Sequence, residues 1–105
     1  MKKTNKTLAD FSELTPIIKH ELEIFDKEAN HNKFWHCYVY SEPGAAMSHY
    51  VVRHWGRNGS KGQQMAECFY GKYDAIDAST KLYREKLNKG YRPEASPLDK
   101  IVREV

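Results

Sequence analysis

Residues 34–40 constrain what this chain can fold into more than any other stretch: Phe34-Trp35-His36-Cys37-Tyr38-Val39-Tyr40. Aromatic and β-branched side chains suit a pleated surface and lose rotamer freedom in a helix, so the run reads as a β-strand. Strand alternation puts Trp35, Cys37 and Val39 on one face and Phe34, His36, Tyr38 and Tyr40 on the other. The first set is expected to face the core. Partners stand on both sides in sequence. Pro16 opens a β-leaning run at 17–25, and Asn30-His31-Asn32 ends the polar connection after it with turn chemistry. Downstream, Pro43-Gly44 marks a turn. Residues 49–55 then form a strand expected to pair antiparallel with 34–40, and 63–69 form another.

A helix follows the strands. Gly71 can cap it, with Asp74 near its positive end. Ile76, Ser79, Leu82, Tyr83 and Leu87 fall three and four apart, so one stripe faces the sheet. Gly90 is a stop. The order β-β-β-β-α implies an α+β fold, an antiparallel β-sheet with one main α-helix packed across a face. Residues 1–15 are polar apart from Leu8, Phe11 and Leu14, and are expected to be a flexible N-terminal arm. Residues 16–92 form the domain, and 93–105 a tail. Ser96-Pro97-Leu98-Asp99 opens a short C-terminal helix there. Its stripe of Leu98, Ile101, Val102 and Val105 is expected to dock on the domain's own flank, the alternative being a contact for a partner.

A chain of 105 residues is one domain's worth. At 12% aromatic it is too rich in rings for a disordered chain. No apolar run is long enough for a membrane span. Met1-Lys2-Lys3-Thr4 begins like an export signal, but no apolar stretch succeeds it, because Asp10 and Glu13 intervene. The cytoplasm is therefore expected, with Cys37 and Cys68 reduced. The net charge of +3 is uneven: residues 31–92 carry 10 basic and 5 acidic side chains, and both flanks are slightly acidic. Positive charge thus sits where the aromatic residues are, as in a nucleic-acid face, although an ordinary soluble surface has the same charge.

Residues 53–63 carry the chemistry: Arg53-His54-Trp55-Gly56-Arg57-Asn58-Gly59-Ser60-Lys61-Gly62-Gln63. Glycines three apart make a tight loop with exposed backbone. A tryptophan ending a strand offers a flat face to a sugar or base, and an arginine fork suits phosphate. Taken as residues alone, the segment is also a hairpin with Trp55 buried and Arg57 solvated. Other motifs fail. Gly56-Arg57-Asn58-Gly59 imitates the GXXG clamp of KH domains but follows a strand. Gly59-Ser60-Lys61 has P-loop letters in the wrong order. His20, His31, His36, His49 and His54 lack metal-ligand spacing, so neither metal nor cofactor is expected. Strand cysteines are usually buried and inert, which disfavours a Cys/His nucleophile.

The segment Trp55-Gly56-Arg57 with Asn58 to Gln63 resembles the WGR domain, which occurs in DNA-dependent poly(ADP-ribose) polymerases and as stand-alone bacterial proteins. Asn32-Lys33-Phe34-Trp35 resembles the Asn-x-aromatic-aromatic start of the family's second strand. Phe69 and Asp74-Ala75-Ile76 resemble its helix entry, and Asn88, Gly90 and Tyr91 its closing segment. Gly71 departs from the usual Ser or Thr cap and Tyr91 from a common Trp. The resemblance covers 17–92.

The resemblance implies a non-enzymatic nucleic-acid-binding domain that recognises DNA ends or breaks. In the polymerases the signature Trp packs on a terminal sugar, and the signature Arg bridges DNA and neighbouring domains. Here Trp55 is expected to stack while Gly56 lets the chain turn away. Arg57, Asn58 and Lys61 are expected to hold phosphate with the loop N–H groups, and Asn32 to assist. Arg53 and Lys33 are further phosphate candidates. The expected partner is DNA, with RNA as an alternative, and the expected state is a monomer. A second reading makes the domain a protein-interaction module that uses Arg57 and exposed aromatics. Nothing in the chain forms the paired acid and base of an enzyme.

Overall fold

The aromatic run becomes the middle of a long strand. A computed structural model describes residues 2–94, with β2 (Ile18–Asp26), β3 (His31–Glu42), β4 (Ala45–Arg57) and β5 (Gln63–Tyr70) forming the body of one sheet. Short strands close its edges, β1 (Lys2–Thr4) on β5 and β6 (Arg92–Pro93) on β2. The spatial order is β1-β5-β4-β3-β2-β6, and every pair is antiparallel. Among the described residues one α-helix, α1 (Lys72–Asn88), lies across one face, contacting β3, β4 and β5. This is the expected α+β arrangement. Among the described residues, no helix is long and apolar enough to cross a membrane. The proposed C-terminal helix lies outside the described residues.

The face under α1 holds one core, built from Leu22, Trp35, Cys37, Val39, Val51 and Ala75. The alternation in 34–40 therefore points Trp35, Cys37 and Val39 inward as expected. Burial pushes the Cys37 thiol up to about 12, because a thiolate there would lose its water. The helix stripe follows the expected one at Ser79, Leu82, Tyr83 and Leu87 and differs only in its first turn, where Ala75 replaces Ile76. Ala75 and Ser79 make the closest approach, Leu82, Tyr83 and Leu87 pack alongside, and Ile76 is only partly buried. Small side chains let the helix axis sit close to Trp35 and Val51. Ser79 Oγ donates to the Ile76 carbonyl at 2.8 Å, so its burial leaves no stranded hydroxyl.

The outer face differs from expectation. Phe34 and Tyr40 are each only 7% exposed. The segment expected to be a flexible arm covers part of this face. β1 adds to the sheet, with Thr4 Oγ1 donating to the Ala66 carbonyl at 3.0 Å. A 3-10 turn, Leu8–Phe11, then lays Phe11 against Tyr40 and Tyr50 at centroid distances of 4.8 and 5.2 Å. Phe11 is 4% exposed and anchors a second core with Tyr40, Tyr50, Val52 and Ala66. The cause is the aromatic content of the outer face: an uncovered row of rings would cost free energy, and burying each such side chain contributes about 1.5–3 kcal/mol. β4 also begins four residues before the expected 49. Ala45 pairs with Glu42 across the hairpin after a register shift, and Ser48 pairs with Tyr70 of β5, which carries the strand back to Ala45 despite weak local propensity.

Candidate nucleic-acid interface

The β4–β5 connection is shaped by two glycines that nearly touch. A Cβ on Gly56 would lie 2.8 Å from the Gly62 Cα. A Cβ on Gly62, whose φ is +74°, would lie 2.5 Å from the Trp55 carbonyl oxygen and 2.9 Å from Phe34 Cζ. No side chain fits at either position, so the loop doubles back tightly beside the tryptophan.

Hydrogen bonds fix the loop between them. The Asn58 N–H donates to the Asn32 carbonyl at 2.9 Å, and Asn58 Nδ2 donates to Asn32 Oδ1 at 2.6 Å. The Ser60 N–H and Oγ both reach the Arg57 carbonyl, at 2.9 and 2.6 Å. His54 Nε2 lies 2.8 Å from the Lys61 carbonyl. Two of the loop amides are thus engaged within the protein. Asn32 and Asn58, both read from sequence as ligand contacts, are brought together as a latch. Arg57 and Lys61 remain exposed at the surface, with Arg57 Nη2 donating to Asn30 Oδ1 at 3.2 Å.

Register determines what stands beside the loop. Lys33 pairs with Arg57, Trp35 with Trp55, and Cys37 with Arg53. Paired residues share a face, so Lys33, Arg53, Trp55 and Arg57 lie on the α1 side. Trp55 is half-buried there, packed against the core around Trp35. The structure combines the two sequence readings of this residue: part of the indole belongs to the core and part stays accessible. A shallow pocket of about 150 Å³ opens at that place, lined by Trp35, Arg53, Trp55, Leu82, Glu85, Lys86 and Lys89.

Charge in the pocket is mostly positive. Lys86 Nζ sits 5.9 Å from the Trp35 ring centroid and 5.3 Å from that of Tyr91. Desolvation lowers the Lys86 pKa, and Lys89, Arg53 and Lys33 push it the same way while Glu85 opposes. Arg53 is less available than expected. Its guanidinium forms a 2.7 Å ion pair with Glu67, and its Nε is buried with no hydrogen-bond partner among the described residues. Lys86 and Lys89 were not singled out by sequence reasoning. Both occupy the C-terminal end of α1, a common place for cations. Only the three-dimensional register brings that end next to Trp55. Among the described residues, no group of three or more His, Cys, Asp or Glu could hold a metal ion.

A half-buried signature tryptophan, a glycine-tightened loop and clustered cations on a helix-backed antiparallel sheet agree with the family comparison. The WGR domain model matches residues 18–97, and the chain belongs to the WGR domain family, whose members are nucleic-acid-binding in type. A relative, the uncharacterized protein y4dW of Sinorhizobium fredii (strain NBRC 101917 / NGR234), is 44% identical over 46 residues, which is 44% of this chain. The match spans 22% of that protein's length. No solved structure matches the chain.

Proposed function

We propose that this domain binds the ends or breaks of duplex DNA, without catalysis, through the β4–β5 loop and the pocket beside it. The observation that carries the reading is the half-buried Trp55 set among Arg57, Lys33, Lys86 and Lys89. An indole fixed at the end of a sheet can cover a terminal sugar or base, which a continuous duplex does not present. Exposed Arg57 and Lys61 reach the nearest phosphates, and the α1 lysines add charge from the other side of the indole. Asn32 and Asn58 hold the loop in shape. Titration against blunt duplex, nicked duplex, single strand and closed circle tests the reading. Preference for blunt or nicked duplex over the circle supports it, and equal affinity for all four overturns end recognition. The same protein incubated with labelled NAD and DNA is expected to remain unlabelled.

A protein-docking reading has one observation in its favour. Met47, Tyr70 and Tyr73 are 65%, 71% and 76% exposed. Loss of these apolar side chains would leave DNA binding intact if they serve a different partner.

A further inference from the structure

Loops rich in glycine lose the most conformational entropy when they are ordered. A recognition loop containing Gly59 and ending at Gly62 would ordinarily meet that cost on binding. Here the cost is met within the fold, from two directions. Asn32 at the start of β3 holds the Asn58 end through two hydrogen bonds. The Lys61 end is held from the sheet's outer face, opposite α1. There His54 stands edge-on to the Phe34 ring at a centroid distance of 4.8 Å, with the His36 ring 6.0 Å away. Its Nε2 lies 2.8 Å from the Lys61 carbonyl oxygen. A carbonyl only accepts, so Nε2 carries the proton. The same ring walls Gly62, where an added Cβ would lie 3.1 Å from His54 Nε2.

We propose that His54 is the positioning residue of the recognition loop, holding the Lys61 carbonyl so that Arg57 and Lys61 are presented to a phosphate backbone in a preset arrangement. The proposal rests on the nucleic-acid reading of this loop and adds what makes the loop rigid before any ligand arrives. Preorganisation of this kind raises affinity by removing an ordering cost from the binding step.

Two substitutions separate the hydrogen bond from the packing. His54→Phe keeps a ring against Phe34 and Gly62 and removes the donor. His54→Gln keeps an N–H donor of similar reach and removes the ring. In the free His54→Phe protein, amide relaxation at Gly59, Lys61 and Gly62 is expected to show a loosened loop on an intact sheet. Its affinity for blunt duplex is expected to fall about three- to tenfold, the worth of one net hydrogen bond. His54→Gln is expected to recover both. Unchanged loop relaxation in His54→Phe overturns the proposal, as does a binding loss that His54→Gln does not recover. If the unaltered protein binds no nucleic acid, the functional reading falls, and the loop relaxation still decides whether His54 orders the loop.

Discussion

At the scale of single residues, the site depends on how closely two backbone segments approach. Gly62 sits at φ +74° with the Trp55 carbonyl oxygen 2.5 Å from where a Cβ would be. Gly62→Ala therefore combines a disfavoured backbone conformation with a clash against backbone, and is expected to cost about 2 kcal/mol or more of stability. Chemical denaturation reads this directly. Trp55→Ala acts on two quantities at once. Removing a half-buried indole is expected to cost roughly 2 kcal/mol, about half the loss for a fully buried one. Affinity for a linear duplex is expected to fall by about ten- to hundredfold, with little change for a closed circle. Melts by circular dichroism must accompany the titrations. A folded variant that loses line and circle equally overturns the stacking role. Much of this site was legible in the sequence, because Trp-Gly-Arg and the spaced glycines lie in one stretch. The roles of Asn32 and Asn58 were not, since their mutual hydrogen bonds depend on β3 and β4 being neighbours.

At the scale of elements, the two faces of the sheet were legible to different degrees. Period-two alternation in 34–40 placed Trp35, Cys37 and Val39 correctly, because a half-buried strand must alternate. Cover for the other face comes from Phe11, more than twenty positions upstream, in a segment whose composition is polar. No local pattern reports a contact at that separation. Phe11→Ala is expected to lower stability by about 3 kcal/mol, at the lower end for a buried Phe because the site lies under a single turn. A variant as stable as the unaltered chain in a urea titration would show that the N-terminal segment adds nothing to the second core. The other face carries a pH dependence. His20 on β2 stacks on Tyr83 of α1 at 4.0 Å, and desolvation lowers its pKa. As pH falls, the unfolded chain therefore takes up this proton before the folded one. The contribution of this contact is complete above the unfolded value of about 6.5 and is lost progressively as pH drops through it. His20→Phe is expected to flatten the decline in stability between about pH 7.5 and 5.5. An unchanged decline in the variant would assign it to other groups.

At the scale of the whole molecule, charge and shape act together. The central segment carries the positive excess, and the fold gathers part of it around one end of the sheet: Lys33 and Arg57 from paired strands, Lys61 from the loop, Lys86 and Lys89 from α1. Sequence alone located the first three, because they surround the signature. The α1 pair lies some thirty positions further on, and only the helix's path across the sheet brings it back. Arg53, although central in sequence, is paired with Glu67 and is expected to contribute little to binding a polyanion. If roughly three to five phosphates are neutralised, log affinity should fall against log salt with a slope of about −3 to −4. If Lys86 and Lys89 each meet one phosphate, substituting both with Gln should reduce that slope by about two. Arg53→Gln should leave the slope nearly unchanged and show instead as lost stability, because it strands a nearly buried Glu67. Binding isotherms for blunt duplex at four or more salt concentrations distinguish these cases. A slope that is the same in the Lys86/Lys89 double variant would remove α1 from the interface and confine recognition to the loop. A flat slope in the unaltered protein would mean that phosphate is not what the cations meet, and the exposed Arg57 would then be read as a contact for another protein.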